Sequence, residues 1–160
     1  MKHKKILTIL LILNLLFIWG NSLLPGETSD RMSNTVMDVL NRAAEIVGLG
    51  EDFFTLLLDL DGDGVMERSS HIVRKLAHVT EFACLGTILW LFLRGRENRG
   101  VKAFALGVLT AAMDETLQIV SHRGNQLRDV AIDSFGVALG LCFAALLSSQ
   151  NNKTNDEDRG

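Results

Sequence analysis

Residues 6–24 run for nineteen positions without a single charged side chain. As a helix, such a run rises about 28 Å, close to the ~30 Å hydrocarbon core of a bilayer. Lys2, Lys4 and Lys5 stand just before it. A secretory signal would begin in the same way. The residues that follow, Asn21-Ser22-Leu23-Leu24-Pro25-Gly26, lack the small-x-small site at which such a signal is cut. An uncleaved membrane anchor is therefore expected.

Three further apolar blocks occupy about 75–93, 101–120 and 129–147. Helices of a soluble bundle carry polar residues along one whole face. Here each block is apolar around most of its circumference, and charge gathers towards one end. The expected fold is all-α: an integral-membrane four-helix bundle forming one unit over residues 1–147. The 25–74 segment is its extracytoplasmic loop, and 148–160 a disordered cytoplasmic tail.

Orientation follows from basic residues. The short 94–102 loop carries four lysines and arginines in nine residues, whereas 25–74 carries four in fifty. Both termini are accordingly expected in the cytoplasm of a multi-pass protein of a bacterial cytoplasmic membrane. Within the long loop, Val36, Leu40, Ala43, Ala44 and Val47 recur at helical spacing opposite Asp38, Asn41, Arg42 and Glu45. This pattern predicts a short amphipathic helix over 32–49, lying on the outer surface. The net charge of −3 averages over compartments that never mix. No basic, aromatic-interleaved patch supports nucleic-acid binding. Cys84 and Cys142 lie inside apolar blocks and read as ordinary buried thiols.

The intramembrane charges share a depth. On the second span Arg74, Lys75, His78 and Glu81 fall within about 120° of arc, and Glu81 lies roughly 9 Å inside the outer end. The third span runs outward and ends in Asp114, Glu115 and Gln118, with Arg123 just beyond. Its Ala103, Gly107, Ala111, Asp114 and Gln118 share about 80°. The fourth runs inward and begins with Asp129 and Asp133, whose face Gly136 and Gly140 continue. A carboxylate alone at mid-bilayer costs ~2.5–3.5 kcal/mol on insertion scales. Glu81, Asp114, Glu115 and Asp133, spread over three helices, imply a shared, water-accessible pocket, with Lys75, His78 and Arg123 as cationic counterparts. A salt-bridge network that merely fixes helix register is the alternative. No local metal-ligand spacing such as HExxH accompanies His78.

These residues also carry a family resemblance. Arg74-Lys75, His78 and Glu81-Phe82 followed by Gly86 resemble the second-helix signature of the VanZ-like family. Asp114-Glu115 with Gln118, then Arg123, then Asp129, Asp133 and Gly136 are similar to its third and fourth helices. Pro25-Gly26 with Ser29 and Ser33 also matches. Leu117 departs from the pattern, because family members often have histidine there; His78 or His122 would have to fill any role that histidine has. The resemblance implies a cell-envelope protein of a family named for a member linked to resistance to teicoplanin, a glycopeptide. It brings no established reaction.

Asp59, Asp61, Asp63 and Glu67, with Gly64, reproduce positions 1, 3, 5, 9 and 6 of a calcium-binding EF-hand loop. Ser70 stands where the bidentate acid belongs, so affinity would be weak. An acidic Asp-Gly turn explains the same residues equally well.

Three function classes fit. The first is an envelope protein that binds or screens an outer-leaflet lipid or cell-wall precursor and so alters glycopeptide susceptibility. The second is an intramembrane acid/base enzyme acting on such a compound. The third is a proton or ion pathway, against which the inner halves of the second to fourth spans offer no ionisable relay. Oligomeric state is not encoded legibly: the Gly136-x-x-x-Gly140 strip suits packing within one chain or between two.

Overall fold

A computed structural model describes residues 2–58, 66–120 and 127–157. Its described residues form six helices and no strands: α1 (Lys2–Ser22), α2 (Gly26–Ile46), α3 (Phe53–Leu58), α4 (Met66–Phe92), α5 (Arg99–Val120) and α6 (Leu127–Glu157). By length and composition, three of them can cross a membrane, over His3–Ser22, His71–Phe92 and Arg128–Gln150. The fourth expected span, 101–120, is helical as α5. It is not among those three.

The exterior of these helices is apolar. Leu16, Phe17, Leu109, Phe135, Phe143 and Leu146 are all more than half exposed. In water such a surface would associate; against lipid tails it carries no penalty. The interior is small. Ile18, Phe82, Leu85, Leu89, Ala103, Ala111, Val137 and Leu141 form the core.

The closest packing joins α4 to α6, and glycine makes it possible. A Cβ on Gly136 would lie 2.6 Å from the Val79 carbonyl oxygen, and one on Gly140 would collide with the carbonyl of Ala83. Gly86 faces the backbone of Val137 in the same way from the α4 side. Backbones that approach this closely gain dispersion contacts, the main attraction available between helices in lipid. Thr87 Oγ1 adds a hydrogen bond to the Gly140 carbonyl at 3.1 Å.

α2 starts immediately after Pro25, whose extended backbone (φ −55°, ψ 146°) turns the chain out of α1. It ends in a Schellman-type cap: Leu49 N–H bonds to the Ala44 carbonyl at 2.9 Å, with Gly48 at φ 81°. α2 thus begins six residues before the expected 32, and Asn41, expected on the polar side, lies on its buried face. Ser33, Met37, Asn41 and Ala44 are buried, whereas Val36, Val39 and Val47 are 46%, 61% and 70% exposed. The reason is Asn41. Its Nδ2 donates to Thr55 Oγ1 at 2.7 Å, and its Oδ1 accepts Phe54 N–H at 2.9 Å and Thr55 N–H at 3.3 Å. One amide side chain caps the start of α3 from a neighbouring helix.

Two other expectations are corrected. Cys84 and Cys142 are free and exposed on the outer surface of the helices rather than buried between them. Residues 148–157, expected as a disordered tail, continue α6. Extending an existing helix is far easier than starting one, and no proline or glycine intervenes before Gly160.

Candidate functional site

The end of α1, the last turns of α5, the first turns of α6 and the middle of α4 bring polar side chains together. From α1, Asn21 Nδ2 donates to Glu81 Oε1 at 3.0 Å, and Ser22 Oγ donates to Asp114 Oδ1 at 2.5 Å. From α5, Gln118 Nε2 donates to Asp114 Oδ2 at 3.0 Å, one turn along the same helix. Asp114 therefore has both carboxylate oxygens held by neutral donors while being 0% exposed. Glu115, Gln118 and Asp133 are buried as well, at 2%, 7% and 2%.

The spacing explains why these side chains meet. Asp114 and Gln118 lie on the α5 face that also buries Ala103, Gly107 and Ala111, so the small residues draw that face inward. Asp133 lies one turn before Val137, which fills the space beside Gly107. Asp114, Glu115, Asp129 and Glu81 all bear electrostatically on Asp133. Carboxylates from α4, α5 and α6 thus form one cluster.

His78 is half-buried on α4 and sits at the junction of two features. On one side, a ligand atom of His78 and one each from Asp114 and Asp133 all lie within 4.8 Å of one another. On the other side, His78 and Glu81 line a pocket of about 210 Å³. Its walls include Phe17 and Leu24 around the end of α1 and Met32 and Val36 from α2, and Arg74 stands beside His78 on α4.

The cations flank this arrangement. Arg74 Nη1 pairs with Asp30 Oδ1 at 2.6 Å and so ties α4 to α2; Arg74 also meets His71. Lys75 Nζ stands 3.8 Å from Asp129 Oδ1, with the lysine side chain 42% exposed. Lys75 is therefore a partner of Asp129 at the rim. Arg123, and Asp59, Asp61 and Asp63 of the calcium-like loop, lie outside the described residues, as does the side chain of Glu67. Asn21, Ser22 and Asp30 were not anticipated from the sequence. The signal for the first two was present: they are adjacent polar residues closing an otherwise apolar span.

Fold and site define a helical membrane protein whose long helices enclose a carboxylate-rich cluster beside a small amphiphilic pocket. The chain belongs to the VanZ/LLP1 family, whose profile matches residues 7–148. No curated protein and no solved structure matches the chain.

Proposed function

We propose that the protein crosses the bacterial cytoplasmic membrane four times, through α1, α4, α5 and α6, with both termini in the cytoplasm. The pocket then opens towards the outer leaflet. In this reading it takes the polar end of an outer-leaflet lipid or lipid-linked cell-wall precursor, and through it affects susceptibility to teicoplanin-type glycopeptides.

The observation that carries this reading is the mixed lining of the pocket. Apolar Phe17, Leu24, Met32 and Val36 stand with Arg74, His78 and Glu81 around one opening. Sites for whole drug-sized ligands enclose roughly 300–1,000 Å³. A volume of about 210 Å³ suits a headgroup and its first carbons, with the remaining chain left in the bilayer. α2 supports the same placement. Its Met32, Val36, Val39 and Ile46 form an exposed apolar stripe next to the buried one, as expected of a helix resting in the interface.

The test is lipid retention. The full chain, reconstituted in nanodiscs containing anionic phospholipid and a polyprenyl phosphate, should keep one of these through detergent extraction and native mass spectrometry. Arg74→Gln and Glu81→Gln should lose it. Equal retention by the wild type and both variants would refute the pocket, and an unchanged teicoplanin inhibitory concentration on expression would remove the resistance link.

A second reading is favoured by one specific grouping. His78, Asp114 and Asp133 each bring a ligand atom within 4.8 Å of the others, a set able to take and return protons beside a bound headgroup. An intramembrane acid/base enzyme acting on the same class of compound would turn over lipid or precursor, and Glu81→Gln or His78→Gln would abolish that turnover.

A further inference from the structure

The cluster behind the pocket contains a group whose surroundings hydrogen bonding does not complete. Asp133 is 2% exposed, and its Oδ2 is buried without a hydrogen-bond partner among the described residues. A carboxylate oxygen enclosed in this way loses its hydration and gains nothing in return. Of the described arginines and lysines at this end, Arg74 and Lys75 are engaged with Asp30 and Asp129, and Arg128 is exposed.

We propose that His78, Asp114 and Asp133 form a binding site for a divalent first-row cation, zinc or manganese, at the inner wall of the pocket. One ligand comes from each of α4, α5 and α6, and the three ligand atoms already lie within 4.8 Å of one another. Imidazole and carboxylate ligands stand about 2.0–2.2 Å from zinc, which places them roughly 3.0–3.6 Å apart. Closure by about an ångström, within reach of side-chain rotation, completes the set.

Three further observations fit a metal. Asp114 is oriented by Ser22 Oγ and Gln118 Nε2, one on each oxygen, and each oxygen keeps a second lone pair. Outer donors of this kind ordinarily fix metal-binding carboxylates. The close approach of Gly136 to Val79 holds the helices of His78 and Asp133 at a fixed separation. One imidazole with two carboxylates and no thiolate suits zinc or manganese, whereas calcium and magnesium prefer all-oxygen sites. Three protein ligands also leave an open coordination position. Because the ligands sit on three separate helices, no local sequence spacing could announce them.

The site rests on the cluster and not on what occupies the pocket, so the two are tested apart. Full-length protein, purified in detergent and stripped with chelator, is dialysed against Zn²⁺ or Mn²⁺ and analysed for bound metal. One equivalent is expected for the wild type. Asp133→Asn and His78→Gln should each weaken binding by at least about tenfold, and Gln118→Ala by a similar factor through loss of orientation. Helix content by circular dichroism separates loss of metal from loss of fold; half-buried His78 provides the variant that keeps the fold if Asp133→Asn does not. Asp61→Ala should bind metal as the wild type does. Sub-stoichiometric binding by the wild type, binding unchanged in His78→Gln, or loss in Asp61→Ala alone would each overturn the site. Lipid retention by the chelated protein, in the absence of metal binding, would leave the pocket standing and remove the metal.

Discussion

Ser22, the last residue of α1, donates its hydroxyl to Asp114 Oδ1 at 2.5 Å across ninety-two residues of chain. The bond is fully buried, and it joins the first helix to the carboxylate cluster of the other three.

Replacing Ser22 with alanine leaves Asp114 with one donor fewer in a dry environment. The expected cost is about 1–3 kcal/mol. Thermal unfolding in detergent should report a lower midpoint for Ser22→Ala, and Ser22→Thr, which keeps the hydroxyl, should recover much of the loss. A midpoint equal to wild type in Ser22→Ala would show that the bond contributes nothing.

Glycines at the α4–α6 contact should be intolerant of any side chain. Gly140→Ala places a methyl group against the backbone carbonyl of Ala83, which has no rotamer with which to yield. Overpacking of this kind costs about 1–3 kcal/mol or more. Membrane abundance of Gly140→Ala should fall well below that of Gly20→Ala, since a Cβ on Gly20 meets nothing within 4 Å. Equal abundance would contradict the close approach.

Asn41→Ala removes three hydrogen bonds at once and leaves the Phe54 and Thr55 amides without their acceptor. Hydrogen exchange should accelerate over 53–58 while α4 and α6 stay protected. Unchanged exchange there would mean that α3 is held by something other than this amide.

The Arg74–Asp30 pair should matter little to stability, because the aspartate side chain is 53% exposed and water screens it. A double-mutant cycle with Arg74→Gln and Asp30→Asn should give a coupling below about 1 kcal/mol, falling further with salt. A coupling of several kcal/mol would show the pair to be drier than its exposure implies.

Much of this arrangement was legible in the sequence, where one element meets another along a regular strip. The α5 strip from Ala103 to Gln118 and the Asp133–Gly136–Gly140 face are both buried as their periodicity predicts. Small residues alternating with acids on an otherwise apolar helix leave few choices of inward face. The reading failed where that contrast disappears. A lipid-facing exterior is as apolar as a core, so Cys84 and Cys142 could not be told from buried thiols by their neighbours. On α2, apolar residues at the surface outnumber those that pack, and the one that decides the register, Asn41, looks polar and outward until Thr55 is seen beside it. The cluster was visible as three sets of acids at one depth, but the tie from α1 depended on two neutral residues with no charge to flag them.

The backbone-to-backbone seam between α4 and α6 has a mechanical consequence. Gly86, Gly136 and Gly140 leave no side-chain cushion along it, so neither helix can roll or slide past its neighbour without collision. The two behave as one stiff post, with His78 and Asp133 mounted on opposite halves of it. The facing walls come from α1 and α2, which meet at Pro25, so any change in the width of the opening would fall to those two helices.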